Sequence, residues 1–223
     1  MIRVKMPAPA LNYDGDVRVP GEAFLATNPR PTGKEWRSNK YWSKIHDPLY
    51  DALSGICSYC ASFTPRRQSA SSINHTSIDH FVPKTKDPSL AYEWSNFRLC
   101  RAKLNHRKGE HDDVLDPYVL AEGWFRFNFT TFELYPDPDL SDDDKKKVNA
   151  TIVRFELNED DNLVQERLRA VYAYADGKLT REQLTRLYPL IASEMVAQDF
   201  DVKHLPRFRR LLENPRVRDG LGI

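Results

Sequence analysis

The sequence predicts an α+β protein: a β-β-α unit, then a β-hairpin, then a C-terminal helical region. Three observations lead there. Residues 72–81 are β-branched and partly alternating, and Trp94 to Cys100 reads as a second short strand. Between them Pro83 and Pro88 mark a loop, and Arg101 to Glu110 suits a helix stopped near Gly109. Further on, Trp124 to Phe129 alternates aromatic with polar, Thr131 to Tyr135 continues the style as a hairpin, and Val148, Ile152 and Phe155 recur at helical spacing.

The remaining elements follow from local signals. Residues 1–33 are expected to be extended. Residues 34–55 have a helical look, with Trp36, Tyr41, Trp42, Leu49 and Tyr50 as packing groups. Asp137 to Asp144 reads as an acidic loop running into a helix, with Ser141 as its cap. Helices are expected over 163–174, 180–198 and 204–213. The organisation is thus an N-terminal extension and helix (1–54), a core (55–118), and a hairpin with a helical region (119–223).

Composition bounds the class. A chain of 223 residues with 40% hydrophobic and 29% charged side chains can bury one good core or two small ones. No run approaches the roughly 18 apolar residues of a membrane span, and the N-terminus lacks a signal-peptide apolar region. Three cysteines without a secretory leader point to a reducing compartment, so a cytoplasmic protein with no membrane partner is expected. A net charge of +1 carries no global nucleic-acid signature.

Local patterning says more. Asp79-His80 is followed by Asn96 and then by Asn105-His106-Arg107-Lys108-Gly109, with Cys57-Ser58-Tyr59-Cys60 upstream. Cutting a phosphodiester needs an activated water, neutralised charge on phosphorus and a stabilised leaving oxygen. A histidine can serve as base near neutral pH, and a carboxylate with a carboxamide suits a hard cation that keeps some of its waters. Neighbours on a strand face opposite sides, so Asp79 and His80 converge only if the chain bends, as the Pro83 loop allows. Arg98, Arg101, Lys103, Arg107 and Lys108 form an acid-free basic stretch, with Lys84 beside it, which phosphate tracking would use.

These residues in this order resemble the HNH nuclease family, whose core is a ββα-metal unit. The core resemblance covers roughly 55–118. A weaker one, through Ala150-Thr151-Ile152, Leu157-Asn158, Leu163-Val164 and Arg167, extends to about 175. It is similar there to small stand-alone HNH proteins of bacteria, including the HNH partners found in Septu-type and retron-associated anti-phage systems. The resemblance implies that His80 is the general base, that Asp79 and Asn105 hold Mg²⁺ or Mn²⁺, and that Asn96 positions the histidine or its loop. It implies cleavage of DNA in anti-phage defence, under control of an ATPase partner.

Other questions stay open at this level. One such site cuts one strand, so a double-strand break needs a dimer, a second encounter or a repositioning partner. Two rival classes remain: a non-catalytic HNH-shaped nucleic-acid-binding module, and an assembly subunit of an ATPase complex. Cys57 and Cys60 form half of a zinc knuckle and Cys100 a third position, but Lys103 stands where the fourth thiolate belongs. Small buried thiols are the stronger reading of these cysteines and structural Zn²⁺ the weaker, for which His106 or His111 could supply a fourth ligand.

Overall fold

A computed structural model describes residues 1–66 and 75–201, together with 206, 210, 213–216 and 219. The chain divides into two compact units. One comprises Arg3–Cys60 and Thr64–Leu120; the other comprises Met1–Ile2, Ala61–Phe63 and Ala121–Ile223.

In the first unit the segment expected to be extended is partly helical. Wide π-type turns over Asp14–Arg18 run straight into α1 (Val19–Thr27). Pro20 is compatible with this helix because it lies in the first turn of α1, where its missing N–H costs little. Arg18 meets both Asp14 and Glu22 at one-turn spacing, at 2.7 and 3.2 Å, which supports the helix from its surface. A Cβ at Gly21 would lie 2.2 Å from the Tyr92 ring, so only glycine lets α1 pack this closely.

The stretch read as helical over 34–55 forms in three pieces: α2 (Gly33–Ser38), a 3₁₀ turn (Tyr41–Ile45) and α3 (His46–Ala52). A reciprocal capping box between Thr32 and Glu35 starts α2. Together these pieces wall one side of a core that includes Val17, Trp36, Ile45, Tyr92, Phe97 and Leu99.

The other side of that core is a two-stranded ladder. β1 (Thr76–His80) pairs antiparallel with β2 (Phe97–Arg101), from Thr76↔Arg101 to His80↔Phe97. Residues 72–74 of the expected first strand lie outside the described residues. The second strand starts three residues later than read, because Trp94–Asn96 forms a 3₁₀ turn. α4 (Ala102–Lys108) follows β2 without a loop and ends at Gly109, whose φ of 53° suits glycine.

In the second unit, β3 (Phe125–Phe127) and β4 (Leu134–Pro136) pair antiparallel as the expected hairpin. Ser141 caps α5 (Asp142–Arg154) by accepting from the Asp144 N–H. Next come α6 (Asp161–Ala175), α7 (Arg181–Leu187) and α8 (Pro189–Ala197). The single helix read over 180–198 is two, because Pro189 cannot donate within a continuous helix and instead starts a new one. The helix read over 204–213 falls largely outside the described residues. Among the described residues, no helix is long and apolar enough to cross a membrane.

Candidate functional site

A cleft of about 150 Å³ opens where β1 ends, lined by Trp42, Asp79, His80, Lys84, Asn105 and Glu110 among others. Both Asp79 and His80 reach it because His80 is the last residue of β1, after which the chain turns into the 82–91 loop. Asn105 reaches it because α4 folds straight back from β2 across the ladder. Its amide Nδ2 donates to Ser77 Oγ at 3.1 Å and to the Ile78 carbonyl at 3.0 Å. That orientation leaves Oδ1 with no hydrogen bond from any described residue.

Asn96 does not touch the cleft. Buried at the foot of β2, its side chain accepts from the Val82 N–H at 2.8 Å and donates to the carbonyls of Val82 and Leu90, both at 3.0 Å. It therefore ties down the loop carrying Ala91, whose carbonyl accepts from His80 Nε2 at 2.9 Å. This bond assigns the proton of the neutral imidazole to Nε2. Nδ1 has no partner among the described residues. The ring is held edge-on by Trp42 and Phe97, with centroids 4.9 and 5.3 Å away.

Charge is concentrated beneath the ring. Asp79 is buried, and each carboxylate oxygen has its own donor: Tyr59 OH to Oδ2 at 2.6 Å, and Lys108 Nζ to Oδ1 at 3.2 Å. Lys108 is fully buried and also donates to the His80 carbonyl at 2.9 Å. Burial pushes the Asp79 carboxyl above the usual range, and Lys108, Tyr59 and Arg98 oppose that. The His80 imidazole is pulled down to about 3, first by burial and then by the Lys84 charge, so it is neutral at neutral pH. Lys84 is itself lowered by burial, opposed by Asp79 and Glu110, and its ammonium lies 5.4 Å from the Trp42 ring centre.

The donor chemistry here fits a hard divalent cation. A carboxylate offers about four lone pairs and Asp79 has two donors, while Asn105 keeps a carbonyl oxygen in reserve. Both line one cleft. Among the described residues, no group of three or more His, Cys, Asp or Glu side chains is placed to hold a metal; a carboxamide such as that of Asn105 lies outside that set.

The basic residues fare differently from their sequence reading. Arg98 is buried and clamps Asp116 through two bonds, at 2.8 and 2.6 Å, so it is a structural ion pair and not a phosphate contact. Arg101 is also buried, with Nε donating to Thr64 Oγ1 at 3.0 Å, and Lys108 is engaged by Asp79. These three are corrected by burial: charged groups taken from water must be paired inside, and they are. Lys84, Lys103 and Arg107 stay half-buried, Lys84 at the cleft itself.

Cys57, Cys60 and Cys100 are buried and form no disulfide, and burial pushes the Cys57 and Cys100 thiols well above their ordinary range. His106 and His111 are exposed.

Three residues of the site were not singled out from the sequence as contributing in this way: Tyr59, Trp42 and, as a partner of Asp79, Lys108. One signal was available for Lys108. It lies three residues after Asn105, on the same helix face, and so points where Asn105 points. Nothing comparable marks Tyr59 or Trp42, because their contacts are set by tertiary packing.

No protein-family model matches the chain. Over 83 residues it is 26% identical to the Septu protein PtuB of Bacillus thuringiensis, a match covering 36% of this chain and 30% of that protein. The match therefore spans less than a third of that relative's length. Over that stretch the chain is similar to a Septu protein.

Proposed function

We propose that the chain is a metal-dependent HNH endonuclease that hydrolyses phosphodiester bonds of DNA as an anti-phage defence effector. The observation that carries this reading is the convergence of Asp79, His80 and Asn105 on one cleft. Similarity to a Septu protein supports the defence role; the ATPase partner rests on the resemblance to HNH partners of such systems.

The chain's own residues divide the work. The Ala91 carbonyl fixes the His80 tautomer, leaving Nδ1 to take the proton from a water attacking phosphorus. Asn96 acts as a positioning residue by holding the loop that carries Ala91. Asp79 and Asn105 hold one Mg²⁺ or Mn²⁺, which when bound supplies Lewis-acid stabilisation of the phosphate and leaving-oxygen charge. Lys84 draws the phosphate into the cleft, aided from outside by Lys103 and Arg107. An incoming phosphate also offsets the Lys84 charge at the imidazole, which strengthens the base when substrate is present.

The test is digestion of supercoiled plasmid by the purified chain, with RNA as a parallel substrate. Nicked or linear DNA is expected with Mg²⁺ or Mn²⁺ and none with EDTA. Plasmid left intact by folded protein in both metals, with and without the ATPase partner, would refute catalysis. Digestion of RNA alone would correct the substrate.

A further inference from the structure

We propose that Tyr59 is a positioning residue of the cleft: its phenol, delivered by the Cys57–Cys60 turn, holds the Asp79 carboxylate in the orientation that accepts a cation. The inference rests on the assignment of Asp79 as a metal ligand. It goes further by giving this turn a task that does not depend on what its thiols bind.

The turn is docked on β2 through its first two residues. The Ser58 N–H donates to the Leu99 carbonyl at 2.8 Å, and the Arg101 N–H donates to Cys57 Sγ at 3.4 Å. Directly after these anchors the Tyr59 ring is wholly buried, and its hydroxyl meets Asp79 Oδ2, on the neighbouring strand, at 2.6 Å. Asp79 pairs with Arg98 across the ladder, so the strand on which the turn docks is the one that opposes the carboxylate.

Two donors on two different oxygens fix a carboxylate's plane. Lys108 holds Oδ1 and Tyr59 holds Oδ2, so the terminal torsion of Asp79, which is otherwise broad, has one setting. With Tyr59 removed, Lys108 alone defines a pivot and not a plane. Partners of this kind, bonded to a ligand and not to the metal, commonly govern metal affinity by 10–100-fold. Lys108 also contributes charge, so Tyr59 is the cleaner probe of orientation.

The experiment compares wild type, Tyr59→Phe, Asp79→Asn and the double variant of the full chain, reading Mn²⁺ affinity from the EPR signal of free Mn²⁺. Phenylalanine keeps the buried ring and removes one hydroxyl. Tyr59→Phe is expected to weaken Mn²⁺ binding roughly tenfold while leaving DNA affinity in EDTA unchanged. In the Asp79→Asn background it should add nothing, because the phenol acts through that carboxylate. Unchanged Mn²⁺ affinity in Tyr59→Phe, or full additivity in the double variant, would overturn the role of Tyr59. If Asp79→Asn also leaves Mn²⁺ binding intact, the metal-ligand assignment falls with it.

Discussion

Two buried carboxylates, one in each unit, sit against a cation and differ in what they leave over. In the second unit, Glu194 Oε2 takes donors from Arg126 Nε at 2.8 Å, the Phe127 N–H at 3.0 Å and Gln198 Nε2 at 2.7 Å. The other arm of Arg126 is closed by Asp137 at 2.8 Å. In the first unit, Asp79 takes one donor per oxygen and borders a cleft beside two polar atoms, His80 Nδ1 and Asn105 Oδ1, without partners among the described residues. Similar bonds serve opposite ends. Three donors gathered on one oxygen hold hairpin to helix, whereas a carboxylate with one donor per oxygen at the edge of a cleft can receive a ligand.

The sharpest way to break this contrast is at His80. His80→Ala is expected to lower metal-dependent cleavage by about 10²–10⁴ while leaving fold and DNA affinity nearly intact. Unchanged cutting by that variant would remove the base from the account.

Next in size is Arg98, whose side chain is only 3% exposed against Asp116 at 15%. Arg98→Ala should cost about 3–5 kcal/mol in urea unfolding, because it strands a carboxylate. Loss of DNA affinity at unchanged stability would restore Arg98 as a phosphate contact. Glu194→Ala should cost less, about 1–3 kcal/mol, since Asp137 still pairs with Arg126. It should leave Mn²⁺ affinity untouched, and a fall in that affinity would erase the distinction between the two networks.

These outcomes bear on what the sequence disclosed. The ladder, the hairpin, the Ser141 cap and the Gly109 stop were legible because each is written within a few neighbouring residues. α1 was not, since its packing against Tyr92, through Gly21 and Phe24, is set by tertiary contacts that local spacing does not record. The break before Pro189 was missed because apolar spacing runs on through it. At the site, the order Asp79, His80, Asn105 was readable. The fate of the basic residues was not: composition records charge but not burial, and Asp116, which claims Arg98, lies on a different segment. Tyr59 was hidden between two cysteines whose thiols drew the reading.

Smaller effects sharpen the electrostatic side. The folded pKa of His80 lies below its unfolded value of about 6.5. Between that value and about 3 the unfolded chain binds the extra proton, so the stability from burying neutral His80 is complete above pH 6.5 and is lost as pH falls toward 3. His80→Gln should flatten this acid limb of the stability profile. A profile with the same slope in both proteins would mean that the imidazole is not held neutral by the fold. Lys84→Gln should reduce the slope of log affinity for DNA against log salt by about 1. An unaltered slope would move phosphate contact away from the cleft.

The most direct test of the central claim is a crystal of the chain soaked in Mn²⁺ and measured at a wavelength where manganese scatters anomalously. The account predicts a peak in the cleft, bonded to an Asp79 carboxylate oxygen and to Asn105 Oδ1. A peak elsewhere, in protein that cleaves DNA only with Mn²⁺, would contradict it.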